Sequence, residues 1–412
     1  MITAINIRGF KSLAQVSLKL GSLNLFLGTN ASGKSNFFDA LRVLQGIGYG
    51  FTVDEILNGK PKTASSEVWE QVRGGSSRAN YVDKRAREAQ EDLEQVIRFN
   101  VELSTAGSSN RLEYGIGISP LRGCVREEFL LIDGRQIFDS RSLSNDITQP
   151  YFQVRYYRGK PGRQPHFLLE KSKPILHQIV QESKVSAEDR ESVRTCIRAL
   201  SNTQRIDPSP SVLREYSNAQ SGVQRMGEHG ENFAALVKTI LQDPVNGERY
   251  LSWLKKLTPI EFESVSILPG ALGEPLFALR EGGIDYPAPV LSDGTLRFAA
   301  IAAAFFQPDM PGILTIEEIE NGIHASRLRL LVELLRSQSS LEKCQVMATT
   351  HSPVVLAWLE QTDYHTTFYC RRDEETGAST ITPLSEIPKL ADILARQPIS
   401  DLFAEGWLEA TL

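Results

Sequence analysis

Apolar and polar residues alternate along the first stretch of the chain. Ile2, Ile5 and Ile7, then Val16, Leu18 and Leu20, then Leu23, Leu25 and Leu27 follow the period-two spacing that turns one face of a strand inward. Turn chemistry at Gly9-Phe10-Lys11-Ser12 divides the first two runs, so residues 2–27 predict a β-hairpin feeding a central strand. Residues 46–90 carry weak periodicity and predict a loop-rich excursion with a short charged helix near Asp83–Glu94. Strand-like runs return at Val96–Leu103, Leu112–Ile118, Glu128–Ile132 and Phe152–Tyr157, separated by Gly, Asn and Asp, and predict an antiparallel sheet.

The period then lengthens to that of a helix. Ile175, Leu176, Ile179 and Val180 share one helical face, and Ser186 with Asp189 predicts a cap for a helix carrying Val193, Ile197 and Leu200. Further helices are predicted around Phe233–Leu241 and Tyr250–Leu257, with Asp207-Pro208-Ser209-Pro210-Ser211 breaking the set. No heptad is sustained, which excludes a long coiled coil. From about residue 261 short apolar strands alternate with helices. Strands are predicted at Val265–Leu268, Pro275–Leu279, Gly312–Ile316, Gln345–Thr349 and Thr367–Arg371, and helices at Leu291–Phe306, Ala325–Ser337 and Ser352–Leu359. That alternation implies a mostly parallel sheet covered on both faces. The fold class is α/β, a mixed sheet with an antiparallel β lobe and a compact helical insertion. Residues 1–166 and 261–412 are expected to pack as one head, with 167–260 as the insertion.

Chemistry enters where the third apolar run stops. Gly28-Thr29-Asn30-Ala31-Ser32-Gly33-Lys34-Ser35 has the spacing of a phosphate-binding loop and lies between a predicted strand and a predicted helix starting at Asn36. Glycines at both ends let backbone N–H groups crowd a phosphate, and the helix N-terminus adds its positive dipole end. Gly28, Asn30, Ala31, Ser32, Gly33 and Asn36 would form the cradle. Lys34 would reach the β- and γ-phosphates and the Ser35 hydroxyl would hold Mg²⁺, which points to a nucleotide and Mg²⁺ as the ligands.

Three further stations follow. The strand Gly312–Ile316 ends in Glu317-Glu318, which places a metal-holding acid (Glu317, through water) and a base that polarises the attacking water (Glu318) at its carboxyl end. Read alone, the pair also suits a solvated helix start. Leu291-Ser292-Asp293-Gly294-Thr295 opens a helix, and Ser292, Asp293 and Gly294 there are either a second anion site or a plain cap. His351, in Thr349-Thr350-His351-Ser352-Pro353, could touch a γ-phosphate or be a hydrogen-bonded loop histidine.

Composition narrows the field. The 412 residues carry a net charge of −5, so any nucleic-acid contact must come from a local patch. Cys124, Cys196, Cys344 and Cys370 lie far apart with no paired spacing, and with the scattered histidines give no zinc pattern. They suit free thiols in a reducing cytosol. No apolar run approaches the roughly 18 residues of a membrane span, and the N-terminus has no signal-peptide pattern. A cytoplasmic protein is expected.

Taken together, GTNASGKSN, LSDGT, ILTIEEIENGIH and TTHSP resemble, in that order, the ATP-binding-cassette ATPases of the RecF/SMC/OLD type. Ile-Asn-Ile-Arg-Gly-Phe-Lys-Ser-Leu at the start is similar to that branch's N-terminal hairpin, and S-D-G-T-L-R-F resembles stand-alone ATPases of the AAA family. The resemblance covers about 1–60 and 260–412. It implies that Ser292, Asp293 and Gly294 are the signature that contacts the γ-phosphate bound to a second subunit, that Glu318 is the catalytic base, and that His351 is the switch histidine. It places the start of the D-loop at Glu320-Asn321-Gly322. Glu317 stands where transporters usually carry Asp. Gln71 and Gln153 both suit the Q-loop, with Gln71 favoured, and Asp293 and Thr295 depart from the transporter signature. The implied enzyme is an ATPase that closes a homodimer around ATP and reopens it on hydrolysis.

What such a switch acts on is less legible. Gln153 to Lys173 holds Arg155, Arg158, Lys160, Arg163, Lys171 and Lys173 interleaved with Tyr156, Tyr157 and Phe167, either a DNA-binding patch or a solvated loop. About 60 residues follow His351, too few for a Toprim nuclease, so a nuclease or toxin effector would be a separate chain. Asp373-Glu374-Glu375-Thr376-Gly377 suits a hairpin turn. Two readings of different class result, a defence-system ATPase gating an effector and a RecF/SMC-like repair or maintenance ATPase. A non-hydrolysing ATP-binding scaffold is a third.

Overall fold

The computed structural model describes residues 1–61, 69–85, 95–104, 111–141, 149–158, 164–219, 221–257, 262–341, 343–394 and 397–407. Lys160, Arg163 and most of the helix expected at Asp83–Glu94 lie outside them. The chain divides into two compact units. One comprises residues 1–21, 28–203 and 368–382; the other comprises 22–27, 204–367 and 383–412.

The first unit is built on an eight-stranded antiparallel sheet. Its order is Leu13–Lys19, Ile2–Phe10, Ile97–Ser104, Arg111–Ser119, Cys124–Ile132, Arg135–Asp139, Tyr151–Tyr156 and His166–Glu170. The N-terminal hairpin is therefore the start of this sheet. Ile5 lies between Leu18 and Val101 and Ile7 between Val16 and Phe99, all buried, so the period-two pattern is one continuous apolar face. The helix Lys34–Tyr49 packs on Ala187–Ser201, which Ser186 caps by accepting from the Asp189 amide at 3.1 Å. A Cβ at Gly48 would fall 2.4 Å from the Ser201 nitrogen, so glycine lets these two helices approach.

One strand of that sheet, Cys124–Ile132, carries a fully buried carboxyl group. Glu128 is fully buried and accepts from the amides of Ile175 (2.6 Å) and Leu176 (3.1 Å) and from the Tyr114 hydroxyl (3.0 Å). Burial is the largest influence and pushes its pKa from 4.5 up to about 8, against the pull of the three donors. Between those pH values the folded protein holds a proton that the unfolded chain has released. Stability should therefore fall as pH rises through that window. Thermal melts from pH 5 to 9 should show this decline, and Glu128→Gln should flatten it; parallel profiles for the two proteins would contradict the assignment.

The second unit has its core around the helix Asp293–Ala304, in which every residue from Gly294 to Ala304 is buried. Ala299, Ala300, Ala302, Ala303 and Ala304 keep it slim, and the helices Phe233–Gln242 and Pro244–Leu257 pack on it. Strands Ile313–Ile316, Gln345–Thr350 and Leu23–Leu27 lie side by side and parallel, with Ile316 opposite Ala348 and Thr350 opposite Leu27. All three are buried throughout, as strands covered on both faces must be. A separate antiparallel sheet, Phe262–Pro269, Pro275–Glu281 and Ile284–Pro287, completes the unit.

Several elements differ from the periodicity. Arg135–Asp139, His166–Glu170, Thr203–Ile206, Ile284–Pro287 and Ser379–Pro383 are strands of five residues or fewer, too short to show a period. The helix expected over Ser352–Leu359 is the single turn Pro353–Leu356.

Candidate nucleotide site

In the first unit the loop after Leu27 has the backbone its glycines foretell. Gly28, Ala31 and Gly33 take φ of +146°, +65° and +108°. A Cβ at Gly28 would meet the Cys370 carbonyl oxygen at 2.3 Å, and one at Gly33 would meet Ser379 Oγ at 2.2 Å. The cradle thus closes against the hairpin of Thr367–Arg372 and Ser379–Pro383, whose turn holds Asp373 to Gly377. Asn30 and Ala31 are exposed and Ser35 and Asn36 half-buried. Ser32 is buried, and its Oγ has no partner. An orphaned hydroxyl facing a ring of left-handed backbone is what a phosphate ligand would satisfy. Lys34 folds back over the loop, and its Nζ donates to the carbonyl oxygens of Gly28 (2.6 Å) and Thr29 (2.8 Å).

Residues that the motif does not contain brace this loop. Asn36 donates to Ser12 Oγ at 2.7 Å, and Ser379 Oγ donates to the same oxygen at 2.7 Å. Asp39, buried one turn into the helix, pairs with Lys11 at 2.5 Å and with Arg73 at 3.2 Å. Burial pulls the Lys11 ammonium pKa down, and Asp39 works against that. Arg73 also donates to the Ser35 carbonyl at 3.3 Å. Gln71 is exposed, two residues before this arginine; Gln153 is exposed on the strand Tyr151–Tyr156. Arg73 is thus a residue of the Gln71 segment that touches the loop helix, as are Glu70, whose carbonyl accepts from Arg42 at 3.2 Å, and Trp69, over whose ring Arg42 lies. The Lys11-Ser12 turn of the first hairpin is a second support that a motif search passes over.

In the second unit the carboxyl ends of the three parallel strands fall at one edge, at Ile316, Thr350 and Leu27. From them the chain continues as Glu317-Glu318, His351 and Gly28. Glu317 is half-buried and pairs with Arg205 at 3.1 Å; Arg205 also pairs with Glu228 at 3.3 Å. Glu318 is exposed and has a left-handed backbone, φ +48°. For a residue with a Cβ this costs about 1–2 kcal/mol, so neighbours must hold it there. Thr349 Oγ1 accepts from the Glu318 amide at 2.8 Å, and Arg297 donates to the Glu317 and Glu318 carbonyls at 3.2 and 3.3 Å. His351 is oriented by Glu320, whose Oε1 accepts from the His351 amide at 2.7 Å and lies 3.1 Å from Nδ1.

Ser292 caps the helix Asp293–Ala304 through its Oγ, which accepts from the Thr295 amide at 3.2 Å. Asp293 is exposed and paired with Arg214 at 2.5 Å, and Arg214 also donates to the Leu291 carbonyl. Gly294 packs on the turn after Glu318: a Cβ there would lie 2.7 Å from the Gly322 carbonyl oxygen. Glu320, Asn321 and Gly322 form that turn, Gly322 at φ +70°. Arg297, 3% exposed in the largely apolar helix Asp293–Ala304, is a residue that the sequence reading passed over; a cation within a predicted apolar helix was its signal.

The basic stretch is corrected by the fold. Gln153–Lys173 is largely a strand hairpin rather than a solvated loop. Tyr156 is buried and donates to Asp189 at 2.6 Å, Phe167 is buried against it, and Lys171 is buried as well. Those aromatics serve the core and present no stacking face. Arg155 is half-buried and Arg158 exposed. Cys124, Cys196, Cys344 and Cys370 are free thiols. Among the described residues no cluster of His, Cys, Asp and Glu has a metal-binding arrangement, and no helix is long and apolar enough to cross a membrane.

Residues 23–357 match the model of a family described as "AAA domain, putative AbiEii toxin, Type IV TA system". Among solved structures, the chain is similar to an SMC head bound to the C-terminal winged-helix domain of ScpA. That match has 13% identity and a TM-score of 0.51, and covers 92% of this chain and 96% of that one. An SMC head domain from Thermotoga maritima also aligns, at 12% identity and TM-score 0.46, over 93% of this chain and 98% of that one. No curated protein matches.

Proposed function

The chain belongs to the AAA-domain family of the Type IV toxin–antitoxin description and has a fold like that of an SMC head, and from that premise we propose that it is a P-loop ATPase of the SMC/RecF type that hydrolyses ATP to drive a homodimer switch. ATP sits on Gly28, Asn30, Ala31, Ser32, Gly33, Lys34, Ser35 and Asn36 of one subunit. Ser292, Asp293 and Gly294 of a second subunit close over the γ-phosphate. Glu318 accepts the proton of the attacking water, Gln71 belongs to the Q-loop, and His351, oriented by Glu320, senses the γ-phosphate. The chemistry is positioning and electrostatics, with no covalent intermediate.

Ser35 and Glu317 supply the hydroxyl and carboxylate oxygens that Mg²⁺ prefers, which makes them the residues to hold it. The ion would neutralise charge on the β- and γ-phosphates. Glu317 is held by Arg205, so a cation must compete with that guanidinium.

The observation that supports the reading most is Glu318. It is exposed, follows a buried parallel strand, and is kept in a left-handed conformation by two neighbours. Strained backbone of this kind clusters at active sites and switch regions. Purified protein should release phosphate from ATP only with Mg²⁺ present. Ser292→Arg should bind ATP like the wild type yet release little phosphate; a variant that lost both would argue that Ser292 acts within its own subunit.

The family description, which names a toxin system, favours an effector as the target of the switch. We read the protein as the ATP-driven regulator of a separate nuclease or toxin, of the kind used in antiphage defence. Duplex DNA should then leave phosphate release unchanged. Stimulation by DNA, lost in an Arg155/Arg158 alanine double variant, would instead favour a repair or maintenance ATPase acting through that surface.

A further inference from the structure

We propose that Arg297 and Thr349 are positioning residues that clamp the Glu318 peptide from opposite sides and so aim its carboxylate. The inference rests on the reading of Glu318 as the base and gives a role to Arg297 and Thr349, which lie in the S-D-G-T-L-R-F and TTHSP stretches without one.

The clamp has a donor side and an acceptor side. On one side Thr349 Oγ1 accepts from the Glu318 amide at 2.8 Å, and the Thr349 carbonyl accepts from the Ile319 amide at 3.1 Å. On the other, Arg297 Nη2 donates to the carbonyls of Glu317 and Glu318, at 3.2 and 3.3 Å. The φ of +48° at Glu318 lies between these anchors. Without them the residue would relax toward right-handed or extended backbone, and the side chain would swing away from its present direction.

Arg297 is itself anchored. Its Nη1 donates to Asp207 Oδ1 at 3.1 Å and to the Pro208 carbonyl at 2.8 Å. A guanidinium is a planar fork, so fixing one nitrogen on residues 207–208 fixes the direction of the other toward 317–318. A lysine has a single nitrogen on a flexible stem and cannot bridge both ends. A side chain 3% exposed whose bonds go mostly to backbone oxygens is poorly explained as a stabilising ion pair, since burying an arginine is costly. It is better explained by what it holds.

The arrangement also joins two parts of the proposed machine. Arg297 stands on the helix that Ser292 caps, and Gly294 of that helix packs on Gly322 beyond Glu318. A shift of the helix on meeting a partner's nucleotide would therefore be passed to the Glu318 peptide through rigid contacts.

The test compares wild type, Glu318→Gln, Arg297→Lys, Thr349→Val and Thr349→Ser in ATP binding, turnover and thermal melting. Valine has the shape of threonine and should fold, which keeps the test sound if Arg297→Lys does not. Thr349→Val should bind ATP within about twofold of wild type while its kcat falls about 10- to 100-fold, the scale of a misplaced catalytic group. Thr349→Ser, which keeps the hydroxyl, should restore most of it. Arg297→Lys, where folded, should show the same split. Wild-type kcat in Thr349→Val, or binding lost in proportion to turnover, overturns the clamp. If Glu318→Gln turns over like wild type, the reading of Glu318 fails and the clamp with it; if Glu318→Gln is dead and Thr349→Val is not, the clamp alone fails.

Discussion

Glu318→Gln lowers phosphate release by about 100-fold or more and leaves ATP binding intact. The amide keeps the size of the carboxylate and can adopt the same left-handed backbone, but it cannot accept the proton of an attacking water. The bonds that set the turn, from Thr349 and Arg297, run to the backbone and are untouched by the change. The variant should therefore melt like the wild type. Because ATP is bound and not spent, the closed dimer should accumulate, and light scattering after gel filtration should find twice the monomer mass with ATP-Mg²⁺ and less of it with ADP. A variant that hydrolyses normally would show that another group activates the water.

Lys34→Ala acts a step earlier. The ammonium, 8% exposed, donates to the Gly28 and Thr29 carbonyls inside the loop. In the nucleotide complex those bonds would go to phosphate oxygens. Two charge-assisted hydrogen bonds contribute on the order of 3 kcal/mol, or about 100-fold in affinity. Titration calorimetry should show that loss, and ATP should no longer raise the melting temperature as a ligand specific to the folded state does. The ligand-free melting point should change little, because Asp39, Ser12 and Ser379 brace the helix independently. Retained tight binding would move the phosphate site away from this loop.

The sequence was most legible where local chemistry dictates backbone. Gly28 and Gly33 do adopt the positive φ their motif requires, and Ser292 and Ser186 do cap helices. The buried runs Leu23–Leu27, Ile313–Ile316 and Gln345–Thr350 are parallel strands; for the last two, short apolar strands alternating with helices predicted this. The contacts that cross long sequence distances were silent. Nothing near Lys11 announces Asp39, nothing near Arg205 announces Glu317, and Arg73 declares its link to Ser35 only in three dimensions. Strand hairpins rich in charge misled as well. Tyr156 and Phe167 look like a stacking platform when read among arginines, yet alternation sends both into the core while their neighbours face out. Arg297 stood in the sequence only as part of S-D-G-T-L-R-F, and its role needed the carbonyls it meets.

A site divided between two subunits is the central claim, and one mixing experiment addresses it. Lys34→Ala and Ser292→Arg are each expected to be inactive alone. In a mixed dimer the Ser292→Arg subunit brings an intact phosphate loop and the Lys34→Ala subunit an intact Ser292-Asp293-Gly294. Equal amounts should regain about a quarter of wild-type phosphate release, since about half the dimers are mixed and each holds one whole site. Mixtures no more active than either variant alone, under conditions where subunits exchange, would contradict a shared site.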